Sequence, residues 1–353
     1  MRDPFPPIPA LSRAVQPFAD KYNLPALPLH IHEVLFAVVF YYFVHLVVSP
    51  WLSTKWFPAY YPKQRGKRVN WDSHVVSLVQ STFINIVALY VMVFDEERKH
   101  MDWEQRIYGY TGMSGFVQSM AAGYFIWDLI TTVVFIDVFG LGLLAHASSA
   151  LLVYSFGFRP FLNYYGCTFI LYELSTPFLN IHWFFDKLNM TGSKAQLYNG
   201  ITLLFVFFSC RLIWGTFQSG RVYVDMWKAI HTGPTMPLST ETPKNSSIAY
   251  GNDDLMVFAK DATPIPVWLA GLYFASNIVL NSLNWHWFFK MIKAVKKRFE
   301  PAKEAPKETP KEKIDGKSTA TGAQIALEKL DELRRRAIAE GVPTIEDDLA
   351  DMQ

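Results

Sequence analysis

Four ionisable groups lie inside apolar stretches of membrane-spanning length. They are Asp128 in GYFIWDLITTVVFIDVF, His146 in LGLLAHASSALLVYSF, Glu173 in FILYELSTPFLNIHWFF and Arg211 in LLFVFFSCRLIWGTF. A charge at bilayer depth costs on the order of 3 kcal/mol or more, so such groups face a protein interior or a wet cavity. The chemistry open to each differs. An imidazole exchanges a proton near neutral pH and can serve as a general base or nucleophile, although a buried neutral histidine with one partner is the commoner case. A carboxyl in this setting can transfer a proton, bind a head group or anchor a neighbouring helix.

Helical spacing gives each group its neighbours. Asp128 shares a face with Thr131, Thr132 and Phe135; a hydrogen bond to another helix is its usual role, and Asp137 reads as a boundary residue. His146 is followed on its face by Ser149, Ala150 and Val153, small enough to let helices approach closely. Glu173 is followed by Thr176 and Asn180 on a helix interrupted by Pro177. A proline there frees a carbonyl that polar neighbours or water must satisfy, so this segment is the best candidate for a cavity wall. Asn277, Asn281 and Asn284 form a stripe near the end of the last apolar window. Such amides join helices with about 0.6–2 kcal/mol each, and a lipid head-group contact is their second role. Trp285 to Phe288 reads as an interfacial aromatic belt. The expected cavity-lining set is therefore Asp128, His146, Ser149, Glu173, Thr176, Asn180, Arg211, Asn277 and Asn281, with His146, Glu173 and Asp128 catalytic if the protein is an enzyme.

Other chemistries lack a signature. There is no Gly-rich phosphate loop, CxxC pair, HExxH or GxSxG, and the nine histidines are scattered, so no metal or cofactor is expected. Cys167 and Cys210 lie in apolar stretches and read as small core residues. Nucleic-acid binding has no support beyond a basic segment near the C-terminus.

These groups must be positioned by membrane helices. The 353 residues are 51% hydrophobic and 16% aromatic, with a positive mean hydropathy that the polar last 60 or so residues pull down. A spanning helix needs about 20 apolar residues. Seven windows qualify or come close: 31–52, 73–94, 118–139, 142–158, 162–185, 197–218 and 266–289. The third and fourth meet at Gly140 and Gly142, which make either a tight hairpin or one interrupted segment. The second is the most polar, with Ser77, Gln80 and Asn85. The fold class is all-α, a polytopic membrane bundle of about seven helices. Prolines in the first 18 residues interrupt any signal-peptide run, so the first spanning helix directs insertion.

Basic residues set the orientation. Lys55, Lys63, Arg65, Lys67 and Arg68 lie in the first loop, Lys187 and Lys194 in the fifth, and Lys290 to Arg298 after the last helix. Seven helices put all three on one side, which predicts a cytosolic C-terminus and a lumenal N-terminus with the loops at 95–117 and 219–265. Of two glycosylation sequons, Asn189 and Asn245, only Asn245 then faces the lumen. The expected organisation is a lumenal segment at 1–30, a first transmembrane helix and basic loop at 31–69, a domain at 70–295 and a cytosolic tail at 296–353. Residues 300–320 are rich in Lys, Glu and Pro and read as a disordered linker. Residues 321–340 fit a short helix that touches a membrane or a protein partner, or is simply solvated.

The motifs resemble the TLC domain shared by ceramide synthases, TRAM proteins and CLN-type lipid proteins. The resemblance runs over about 70–295. It rests on WDSHVVS at 71–77, GYFIWDL at 123–129, the His146 region, YELSTPFLN at 172–180, Arg211 and LNSLNWHWF at 280–288, in that order. It implies a six-helix core around a lipid-sized cavity, preceded by one further helix. Ceramide synthases carry a tandem histidine pair, then a His-Asp motif with a second Asp. Here the pair is Ala145-His146, and the later motif reads Tyr172-Glu173 with Thr176; Gln80 stands where many relatives have histidine. The segment 173–180 looks most like small TLC-domain proteins of the non-synthase branch. The resemblance therefore implies binding, sensing or moving a membrane lipid in the endoplasmic reticulum. The alternative is an acyltransferase for a lipid or sphingoid substrate, with His146 as base or acyl acceptor. A third class is a receptor for other membrane proteins acting through the tail.

Overall fold

Apolar runs of this length satisfy their backbone in lipid only as helices, and helices make up nearly all of the described chain. The computed structural model describes residues 1–159, 161–232, 257–258 and 265–299. Helix α1 (Pro9–Tyr22) precedes α2 (Leu27–Phe43), which passes through a π-helical turn (Val44–Val48) into α3 (Ser49–Trp56). Pro50 sits in the first turn of α3. It lacks an N–H and would crowd the carbonyl one turn back, and the widened π ladder accommodates both defects. Then come α4 (Arg65–Phe94), the short α5 (Glu96–Lys99) and α6 (Trp103–Tyr108), strand β1 (Gly109–Tyr110), α7 (Gly112–Val134) and α8 (Ile136–Phe156). Helix α9 (Asn163–Phe169) leads through a 3-10 stretch (Ile170–Ser175) to α10 (Thr176–Lys187). Helix α11 (Lys194–Phe207) continues through a π stretch (Phe208–Trp214) into α12 (Gly215–Thr232). Strand β2 (Val257–Phe258) pairs antiparallel with β1, and α13 (Val267–Phe299) is the last described helix.

Among the described residues five helices are long and apolar enough to cross a membrane: Leu27–Trp56, Arg65–Phe94, Gly112–Val134, Ile136–Phe156 and Lys194–Thr232. The broken segment α9–α10 and α13 bring the bundle to the expected seven, and the protein is an all-α polytopic membrane bundle. The chain divides into Met1–Phe288 and Phe289–Gln353; of the second unit only the end of α13 is described. The tail, its expected linker and 321–340 helix, and Asn245 lie outside the described residues.

Several boundaries differ from the sequence expectation, each for a physical reason. The third and fourth windows form a hairpin, with its turn earlier than expected. Helix α7 ends at Val134, and Gly140 has φ 77° and ψ 175°, a conformation open essentially to glycine alone. Gln118 donates to the Tyr154 carbonyl at 2.9 Å while Phe125 packs near His146, so the two helices run antiparallel. The interruption at Pro177 is also displaced. Proline occupies the first turn of α10, where its missing N–H costs nothing, and the irregular stretch lies just before it. The second window starts earlier, at Arg65, because the basic residues continue the helix beyond the apolar run, and the first connection shrinks to 57–64.

The 197–218 window also extends further, to Thr232. Its amphipathic end buries Val222, Asp225, Met226 and Ala229. A continuous 39-residue helix, Lys194–Thr232, is about 58 Å long, against about 30 Å of hydrocarbon. The projecting end is tied down. Arg106 of α6 holds Asp225 through two bonds of 2.7 and 2.9 Å, and the Tyr165 hydroxyl donates to the same carboxylate at 2.6 Å. Elsewhere the core is closed by small residues. At Gly123 of α7 a Cβ would lie 2.5 Å from the Ala37 Cβ and 2.7 Å from the Val34 carbonyl, so α2 and α7 cross in backbone contact.

Candidate functional site

A small cavity of about 40 Å³ lies between α7, α8, the end of α9, the 3-10 stretch and α13. Its walls are mostly apolar and aromatic. Phe125 comes from α7, Ala150 and Val153 from α8, and Tyr273 from α13. Three of the sequence-selected residues line it: His146, Glu173 and Asn277. Few polar groups in an apolar enclosure is the usual composition of a small-molecule site, and at this volume a larger ligand needs the walls to part.

Glu173 owes its position to the 3-10 geometry. Residues three apart eclipse in such a helix, which brings Glu173 and Thr176 to one side. Arg211 meets them there. Its Nη2 donates to the Thr176 Oγ1 at 2.9 Å and lies 3.7 Å from the Glu173 Oε1. Its Nε donates to the Ser175 Oγ at 3.1 Å, and its Nη1 to the Asn284 Oδ1 at 3.1 Å. Phe207 and Trp287 cover the guanidinium at 5.0 and 6.0 Å from their ring centroids. Arg211 is 5% exposed and sits within the π stretch. A buried guanidinium is tolerated where its donors are matched and a carboxylate faces it, and all three nitrogens are engaged here.

His146 is half-buried, between Trp287 at 5.5 Å and Phe125 at 6.3 Å. Its Nδ1 is buried with no hydrogen-bond partner among the described residues. In a mostly apolar cavity, this nitrogen, the Glu173 carboxyl and Asn277 are groups that can engage a polar head or a hydroxyl.

The remaining selected residues fall outside the wall. Asp128 is partly buried on α7, near enough to Glu173 for their charges to interact. Ser149 is half-buried but does not line the cavity; Ala150 and Val153 do. The Asn180 Oδ1 accepts from the His74 Nδ1 at 2.8 Å and its Nδ2 donates to the Ser77 Oγ at 3.1 Å, joining α10 to α4. Asn281 accepts from the Tyr172 hydroxyl at 3.1 Å and donates to Ser219 at 3.0 Å. The Asn277 Oδ1 accepts from Tyr223 at 2.5 Å. Tyr172, Ser175 and Trp287 are additions that the sequence reading passed over. Trp287 is 2% exposed, so it belongs to the interior and not to an interfacial belt. Extending the asparagine stripe by three residues beyond Asn284 reaches it, and that periodicity was the available signal.

The TLC domain model matches residues 70–293, from within α4 to near the end of α13. The chain belongs to the TLC-domain family. An uncharacterized TLC domain-containing protein of Schizosaccharomyces pombe is 36% identical over 290 residues, covering 82% of this chain and 87% of the relative. Topoisomerase I damage affected protein 4 of Saccharomyces cerevisiae is 31% identical over 281 residues, 77% of this chain and 87% of its own. TLC domain-containing protein 4 of Homo sapiens is 33% identical over 180 residues, 50% and 65% respectively. None of the three is named as a ceramide synthase, in keeping with the absent second histidine at Ala145. The cavity and the Arg211 network both lie inside the matched TLC domain.

Proposed function

We propose that this TLC domain binds a membrane lipid in the cavity between α7, α8 and α13 and so acts in lipid homeostasis, as a binder, sensor or carrier. The observation that supports this reading most directly is the mostly apolar enclosure with His146 and Glu173 in its wall, whose free space of about 40 Å³ a lipid would widen on entry. An acyl chain is held by the carbon-lined surface, and a polar head by His146, Glu173 and Asn277. Arg211 fixes the Glu173 carboxyl from behind. On this reading the protein resides in the endoplasmic reticulum membrane with its C-terminus in the cytosol, where the tail can meet a membrane-protein partner.

The unpartnered His146 Nδ1 favours a second reading, acyl transfer, in which it attacks the carbonyl of an acyl ester or thioester, releases the donor's alcohol or thiol with the imidazole proton, and passes the acyl group to a lipid hydroxyl. Mass spectrometry of lipids copurifying with the detergent-solubilised protein separates the two. Binding predicts one lipid class enriched non-covalently in wild type, weakened but retained in His146→Ala, and lost in Val153→Phe, which fills the cavity. A covalent acyl group present in wild type and absent from His146→Ala would instead establish transfer. Enrichment of no lipid class would sink the binding reading.

A further inference from the structure

A second opening, about 470 Å³ in volume, lies where α2 and its π turn, the start of α4 and the end of α7 meet. Much of its wall precedes residue 70, outside the matched TLC domain, and it shares no residue with the cavity described above. Its chemistry is different. Arg65 and Arg68 are one turn apart on α4 and both line the opening. Among the described residues neither guanidinium has an acidic partner within ion-pair distance. Arg65 lies over the Phe135 ring at 5.2 Å and Arg68 over Tyr61 at 5.0 Å; the Arg68 Nε also makes a long bond of 3.4 Å to the Pro62 carbonyl.

Two further features point to a ligand. His45 lines the opening, is 7% exposed, and has a buried Nδ1 with no partner among the described residues. The opening also lies at the N-terminal end of the 30-residue α4, whose N-cap Gln64 makes no side-chain cap. Its first-turn amides therefore add positive potential. One carboxylate opposes these charges. Asp72 also lines the opening, but it already accepts from Ser49 at 2.6 Å and from Tyr61 at 3.0 and 3.1 Å. Two arginines against one engaged aspartate leave the site cationic. The flank is apolar: Leu46, Ile130 and Val134 line it and are 65%, 45% and 59% exposed, on a bundle whose outer surface meets lipid.

We propose that this opening binds a membrane phospholipid, with Arg65 and Arg68 on its phosphate, His45 on a phosphate or glycerol oxygen, and an acyl chain along Leu46, Ile130 and Val134. Paired guanidiniums suit a phosphate because each supplies directed donors in a fork. The adjoining carbon surface selects an amphiphile over a free anion.

The test uses the full chain in detergent micelles. Native mass spectrometry measures binding of dioleoylphosphatidic acid to wild type, Arg65→Ala/Arg68→Ala and Arg65→Lys/Arg68→Lys. Dioleoylglycerol supplies the same chains without phosphate, and inorganic phosphate is titrated as a competitor. The expected result is a one-to-one phosphatidic acid adduct, weakened at least tenfold by the alanine pair and less than fivefold by the lysine pair. Dioleoylglycerol leaves no adduct at the same concentration, and millimolar inorganic phosphate does not displace the lipid. Equal phosphatidic acid binding by wild type and the alanine pair overturns the proposal, as does equal binding of dioleoylglycerol. Displacement by micromolar inorganic phosphate reassigns the site to a free anion and overturns the lipid. If the alanine pair unfolds, Arg65→Gln/Arg68→Gln, which keeps long polar side chains without the charge, takes its place: phosphatidic acid binding by that folded pair equal to wild type overturns the proposal.

Discussion

At the scale of single residues, Arg211 and His146 are opposite cases of buried polarity. Arg211 has every nitrogen matched, whereas the His146 Nδ1 has no partner among the described residues. Their substitutions should therefore move stability in opposite directions. Arg211→Ala leaves Glu173 facing the interior without its countercharge and is expected to cost about 3–5 kcal/mol, seen as a large fall in Tm in detergent. His146→Phe keeps the ring between Trp287 and Phe125 and removes an unsatisfied nitrogen, so stability should hold or rise by about 1 kcal/mol. A fall of similar size in His146→Phe would show that Nδ1 has a structural partner. The sequence made these residues visible because charge within an apolar window is conspicuous. It did not disclose their pairing. Arg211 is 38 residues from Glu173, and only the meeting of the π and 3-10 stretches brings them together. Asn180 shows the reverse: it fell on the helical stripe of Glu173, yet the 3-10 geometry turns it toward His74 and Ser77.

At the scale of elements, the hairpin between α7 and α8 depends on a single backbone conformation. Gly140→Ala forces a side chain into φ 77°, ψ 175° and should cost about 1–3 kcal/mol. Gly142→Ala, where an added Cβ meets nothing within 4 Å, should be neutral or stabilise by about 0.5–1 kcal/mol as a helical glycine replaced by alanine. Thermal melts of the two variants check the contrast, and equal losses would place the turn elsewhere. From the sequence the two glycines are equivalent, since both sit between apolar windows. Hydropathy locates spanning segments through their carbon content, and five of the windows coincide with helices long and apolar enough to cross a membrane. It is blind to helix that continues into water, which is why α4 and α12 outrun their windows by Arg65–Arg68 and by the Asp225 turn.

At the scale of the whole molecule, helix number and loop charge together predict an orientation that enzymatic labelling can test. Expressed in a secretory system, the protein should be glycosylated at Asn245 and not at Asn189; modification at Asn189 would invert the assignment. Asn189 has φ 57° in the short connection between α10 and α11, and the basic residues Lys187 and Lys194 flank it. Gross architecture was legible from composition, whereas the cavity was not, because its walls come from five separate elements. One feature of the long helix reaches beyond its own turn. A π stretch holds extra backbone, and each extra residue advances everything after it by about 100° around the axis. The stretch at Phe208–Trp214 therefore acts as a phase shifter between two half-helices. Removing one residue there would restore a regular ladder and improve local hydrogen bonding. It would also swing Ser219 away from Asn281, Tyr223 away from Asn277 and Asp225 away from Arg106, three contacts that lie on the same side only because the helix is out of step with itself.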